Sequence, residues 1–228
     1  MKQSRQAHVV HHFWKKESGL TSMLVLILLL NFVILPLFGS NHVVRVLTNV
    51  IWMLILLSGI LSVMKTRHQA WMLSIFPLIY IILRWIKVIH ESPYIVYADF
   101  ILGILSVMLM ITMVLIRVFE PGPVTTHRII GSIVAYLLIG NFWAFIYHFV
   151  YIGSPGSFNV ILSPPDYNSV HSAFLYFSYT TLTTTGFGDI QPVNNFVRNL
   201  VVVEQVIGVL YPIILIGRLV SLHVEKRY

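Results

Sequence analysis

"TLTTTGFGDI", residues 181–190, sets a run of threonines, two glycines around an aromatic ring and a lone aspartate inside a chain that is otherwise mostly apolar. Of 228 residues, 57% are hydrophobic and only 10% charged, and the mean hydropathy is +0.83. Such a chain is too apolar for one water-surrounded core and has few charges to coat it, so it reads as an integral membrane protein. At membrane depth, backbone outside helix or sheet is tolerated only where it is buried in protein or lines an aqueous path. The quoted stretch needs one of those two settings.

The residues just before it supply the setting. "GSPGSFNVILSPPDYNS" is turn-rich and belongs outside the membrane, and Asp166 and Asn168 then precede "VHSAFLYFSYTTL". That apolar run predicts a helix of about 13 residues with Asn168 as its cap, and at about 1.5 Å per residue it is too short to cross a bilayer. A short helix that enters and must return is a re-entrant segment, and what returns is the quoted loop.

Further out, a span needs about 20 apolar residues. The chain offers that length at Leu20 to Phe38, Val43 to Met64, Ala70 to Ile89, Ile95 to Phe119, Ile129 to Ile152 and Val197 to Leu222. The expected fold is an all-α polytopic membrane protein with six transmembrane helices and the re-entrant unit between the fifth and sixth. "VFEPGPVTTHR", 118–128, is the interior linker rich in helix breakers. The expected organisation is a cytoplasmic N-terminal segment (1–19), a four-helix membrane domain (20–119), a cytoplasmic linker (120–128) and a second membrane domain (129–228). The first apolar run is as long as a full span and lacks a small-residue cleavage site, so it is expected to stay in the mature protein. The short termini leave no room for an attached soluble regulator.

The formal charge of +7 is carried by cations beside the spans. Lys2, Arg5, Lys15, Lys16, Lys65, Arg67, Arg117, Arg128, Arg218, Lys226 and Arg227 all fall on one side of a six-span chain, leaving Arg45, Arg84, Lys87 and Arg198 toward the other. This is the positive-inside pattern, and it places both termini in the cytoplasm of a plasma (inner) membrane. No nucleic-acid motif accompanies the basic bias, and lipids are the expected surroundings. Cysteine is absent, which excludes disulfides, thiolate metal sites and thiol nucleophiles.

In the loop itself, Gly186 and Gly188 permit backbone angles closed to other residues, so successive carbonyls from 184 to 188 can face one side. A row of carbonyls facing an axis replaces the water around a cation. Thr184 adds a hydroxyl to the row, Phe187 is an outward anchor, and Asp189 places negative potential at the outer mouth.

"TLTTTGFGD" resembles the selectivity filter of the tetrameric potassium channels. The usual pattern reads Thr-Val-Gly-Tyr-Gly-Asp; here Thr185 stands in the valine place and Phe187 in the tyrosine place, while Thr184, Gly186, Gly188 and Asp189 match. The resemblance covers about Ile129 to Arg227, in the family's order of outer helix, pore helix, filter and inner helix, and with four spans ahead it is similar to the six-span branch. It implies a homotetramer that passes K+ through ion sites at Thr184, Thr185, Gly186, Phe187 and Gly188, with K+ ions as cargo and no cofactor. Phe187 lacks the phenol that hydrogen-bonds the pore helix in relatives. Tyr176 and Phe177 occupy the aromatic cuff where the family often has tryptophans, and Thr180 and Thr181 back the filter. On the inner helix, Gly208 and Pro212 lower the cost of bending at the place where such channels hinge, while close packing of helices is the other use of Gly208. Glu204 is an ionisable group inside a span, expensive and by default functional; its expected partner is Thr180 or Thr181.

A voltage sensor collects about 2.3 kcal/mol per charge per 100 mV and so needs several arginines spaced by three along a span. The fourth span has only Arg117, at its cytoplasmic end. The third carries Arg84, Lys87 and His90 at every third position, with Glu91 and Asp99 as available partners, and these read as snorkelling anchors at one end of the span. Weak voltage dependence is expected. His8, His11 and His12, at near-helical spacing, are open to metal binding or pH reporting, but the favoured reading is a basic segment lying on anionic lipid with Phe13 and Trp14; His148 and His171 are pH-sensing candidates near an outer vestibule. Three rival readings stay open: a poorly selective cation channel, a nonconducting adaptor on a channel scaffold, and a membrane enzyme or transporter. The enzyme reading is the weakest, since no HExxH, P-loop or nucleophile elbow is present.

Overall fold

The computed structural model describes residues 19–35, 42–63, 67–90, 92–120, 124–160 and 167–224. The N-terminal histidines and Glu91 lie outside the described residues. The helices are α1 (19–35), α2 (His42–Val63), α3 (Arg67–Ile89), α4 (Pro93–Val118), α5 (Thr126–Gly153), α6 (Tyr167–Leu182) and α7 (Asn195–Val224), with two three-residue strands, β1 (Phe158–Val160) and β2 (Ile190–Pro192). In α1 the stretch Leu30–Ile34 is π-helical.

Local chemistry sets the helix starts. Ser92 is extended and Pro93 follows at the first turn of α4, where a missing N–H costs nothing. Thr125 is extended too, and its carbonyl accepts the amides of Arg128 and Ile129 to begin α5. The short helix α6 starts at Tyr167, so Asn168 sits inside its first turn rather than capping it. Its 16 residues span about 24 Å, still short of a bilayer's apolar thickness. Among the described residues, three helices are long and apolar enough to cross a membrane: Pro93–Val118, Thr126–Gly153 and Asn195–Arg218.

Two cores meet at α5. The front one packs α1 to α5 around Met23, Trp52, Ile55, Tyr80, Phe100 and Phe145. The rear one packs α5, α6, β1 and α7 around Trp143, Tyr147, Phe158, Phe174, Phe177 and Leu182. Covered on both sides, α5 buries 67% of its apolar window, whereas the window of α7 is 17% buried.

The strands pair antiparallel, with Asn159 opposite Gln191, and the Ser157 carbonyl accepts the amide of Val193 at 2.9 Å. This small ribbon ties the turn after α5 to the chain leaving the quoted loop. It holds one end of that loop while α6 holds the other.

Candidate functional site

The loop begins where α6 runs out of hydrogen-bond donors. The last carbonyls of a helix have no intrahelical partner, and here the loop's own amides take them. Thr183 N–H donates to Tyr179 O (3.0 Å), Thr184 to Thr181 O (2.9 Å), and both Thr185 (2.8 Å) and Gly186 (3.2 Å) to Thr180 O. Thr180 and Thr181 thus support the loop through main-chain oxygens, and the Thr180 hydroxyl turns back to Phe177 O.

The backbone then alternates. Thr184, Gly186 and Gly188 have φ of 59°, 55° and 79°. A left-handed residue at every second position reverses the peptide flip of an extended chain, which is what brings successive carbonyls to one side. Glycine adopts this without penalty; Thr184 is β-branched and is held there under strain. At the far end the Gly188 carbonyl accepts the side-chain amide of Gln191 at 2.9 Å, so the last oxygen of the row is tied to the outer turn.

An aromatic brace stands beside the loop. Tyr176 stacks on Phe187 with ring planes 3° apart and centroids 6.2 Å apart. Tyr176 therefore braces a loop aromatic that lacks a phenol of its own. Phe177 points the other way, buried against Tyr147 and Phe158.

Glu204 lies behind this assembly, fully buried. Its two carboxylate oxygens accept from the hydroxyls of Tyr147 and Ser178, each at 2.5 Å, and Ser178 also reaches the Gly140 carbonyl at 2.8 Å. The expected partners Thr180 and Thr181 are replaced by Ser178, because the α6 residue facing α7 lies two or three positions earlier. One carboxylate joins three helices: α5, α6 and α7.

Residues 124–225 match the family described as ion channel. This segment is similar to an ion-channel domain. No curated protein and no solved structure matches the chain. The matched segment takes in α5, the short helix α6, the loop and α7.

Within the channel domain, a Cβ added at Gly208 would stand 2.0 Å from the Leu182 carbonyl oxygen. The packing use of this glycine is therefore realised: α7 presses its backbone against the end of α6. Pro212 lies one turn on, inside a helix that continues to Val224.

Ahead of the channel domain, Arg84 and Lys87 are held inside the helix bundle rather than snorkelling to its end. Arg84 is buried and donates to Asn49 Oδ1 at 2.6 Å and to the Tyr80 hydroxyl, while Lys87 pairs with the buried Asp99 at 2.7 Å. His90 is exposed at the end of α3. Arg117 pairs with Glu120 at 3.3 Å. His148 and His171 do not line a vestibule; their rings are buried 5.7 Å apart between α5 and α6, against Phe100 and Phe145.

Proposed function

We propose that the chain is the subunit of a potassium-selective channel. Four copies surround a common axis, each contributing six spans, with both termini in the cytoplasm of the plasma membrane. K+ passes passively through the carbonyl and hydroxyl oxygens of Thr184, Thr185, Gly186, Phe187 and Gly188, and Asp189 gathers cations at the mouth. The observation that carries this reading is the left-handed backbone at 184, 186 and 188 in a loop anchored at both ends. Such a loop offers an ion a row of dipoles that need no reorganisation on binding. The exposed apolar face of α7 supports a multi-chain pore, since a single loop cannot encircle an ion. The gate is a bend of α7 near Gly208 and Pro212. With Arg84 hydrogen-bonded to Asn49 and Tyr80 and Lys87 paired with Asp99, the front domain does not drive that bend strongly with voltage.

Thr185 and the softer aromatic cuff keep one alternative in view, a poorly selective cation channel. Reversal potentials with K+ on one side and Na+ on the other decide between them. A tenfold permeability ratio displaces the reversal potential by about 59 mV, and the potassium-selective reading predicts a displacement larger than that. A reversal near zero selects the poorly selective pore, and silence under every condition selects a nonconducting adaptor.

A further inference from the structure

The first helix reaches across the front domain and touches the re-entrant helix directly. The contact is made at the π-helical turn Leu30–Ile34, the kind of local widening that in helices tends to accompany function. From this turn Asn31 Nδ2 donates to the Tyr179 hydroxyl at 2.9 Å, and the neighbouring Phe32 stacks on the Tyr179 ring with centroids 5.5 Å apart and planes 29° apart. On the other side of the ring α5 closes in. Asn141 Nδ2 donates to the same hydroxyl at 3.2 Å, and the hydroxyl in turn donates to the Leu137 carbonyl at 2.9 Å. A Cβ at Gly140 would come within 2.4 Å of the ring. Tyr179 is clamped between α1 and α5.

What Tyr179 carries is the start of the loop. Its carbonyl accepts both the amide of Thr183 at 3.0 Å and the Thr183 hydroxyl at 2.7 Å, and that hydroxyl lies 2.9 Å from the hydroxyl of Thr185. A shift of residue 179 is therefore passed through two hydrogen bonds to a residue of the ion row. The amide that makes the clamp is kept at a cost. Asn31 is buried, and its Oδ1 meets no hydrogen-bond partner among the described residues. A half-satisfied amide is a poor way to stabilise a helix in an apolar setting. Packing of α1 would be served better by leucine.

We propose that Asn31 is a positioning residue for conduction: by holding the Tyr179 hydroxyl it sets the register of the re-entrant helix end and so the geometry of Thr183 to Thr185, which makes the first helix a control element of the filter. This rests on the reading of residues 184–188 as the conducting row. Coupling of this kind is established only by showing that two sites bias the same element.

The test is a double-mutant cycle on single-channel currents of the full chain in planar bilayers, using Asn31→Leu, Tyr179→Phe and both together. Asn31→Leu keeps the branched side-chain skeleton, with methyl groups somewhat larger than the amide atoms, and removes the donor. Each single change is expected to lower open probability about tenfold at unchanged purification yield, and the double variant to be no lower than the worse single one, because both remove the same bond. The reversal potential under mixed K+ and Na+ should move toward zero in all three, a readout that a mere packing role does not touch. Independent, multiplying effects, or open probability and reversal potential that match the unsubstituted protein, overturn the proposal while leaving the conducting loop intact. An unsubstituted chain that passes no K+ removes the proposal and the reading beneath it together. If Asn31→Leu does not fold, Asn31→Ser takes its place in the cycle with the same two outcomes.

Discussion

The two halves of this chain handle polarity in opposite ways. In the front half, the cationic groups inside the bundle are matched within the chain: Arg84 with Asn49 and Tyr80, Lys87 with Asp99. In the rear half, Thr183 to Asp189 are exposed, and α7 leaves most of its apolar window uncovered. A charge buried in the first is structural ballast held in place by its partner. Glu204, the one buried acidic residue among the described residues of the second, braces the loop. Substitutions of the buried charges in front should therefore act on folding, and those around the loop on conduction.

The largest expected effect breaks the front half. Asp99→Leu strands Lys87 inside the bundle, and breaking a buried pair costs about 3–5 kcal/mol. It should appear as a large drop in thermal midpoint in detergent, with little folded protein recovered. A variant with unchanged melting would show that the pair is not holding the helices together.

Next comes Gly208→Ala. The added carbon meets a backbone oxygen, which cannot swing aside as a side chain can. Overpacking of this kind costs about 1–3 kcal/mol, and here it pushes α7 away from the loop, so K+ flux should be lost while the front half still folds. Wild-type flux and stability in this variant would mean that α7 is not seated against Leu182.

A smaller effect is expected from Glu204→Gln. Two hydroxyls donate to the carboxylate, and an amide turns one of its two acceptors into a donor. Ser178 can redirect its proton to the Gly140 carbonyl, so the loss is about 1 kcal/mol. Open probability should change severalfold at unaltered unitary current, and identical single-channel records would remove Glu204 from the account.

The smallest effect belongs to Arg117→Gln. Its pair with Glu120 is partly solvated, with side-chain exposures of 13% and 37%, and such pairs are worth at most about 1 kcal/mol. The conductance–voltage curve should be shallow before and after. A steep curve that flattens in Arg84→Gln would instead assign the front half a sensing role and erase the contrast.

Much of the loop was legible in the sequence, because its chemistry is local: glycines at 186 and 188 and a threonine at 184 sit within five residues of one another. The short helix before it was legible from its length, and the helix boundaries fell within a few residues of the apolar runs. What stayed hidden depends on residues distant in the chain. Glu204 announced itself as a buried charge, yet its partners Tyr147 and Ser178 lie 57 and 26 positions away. The ribbon pairing Phe158 with Pro192 is three residues long on each side and too short to leave an alternating pattern. Arg84 and Lys87 looked like anchors because spacing along one helix says nothing of Asn49 on another or Asp99 across a turn. The left-handed Thr184 had no signal at all, since β-branched residues are ordinarily excluded from that conformation.

The most direct test of the central claim is K+ flux from liposomes loaded with the purified full chain, beside Gly186→Asp in the same lipid. At φ of 55° an aspartate is strained, and its carboxylate would crowd the ion row. The account predicts that K+ leaves the vesicles with the unsubstituted chain, that Na+ does not, and that Gly186→Asp is silent while folding as well as the parent. Equal K+ flux through both proteins would contradict it, because ions would then be crossing somewhere other than the loop at 184–188.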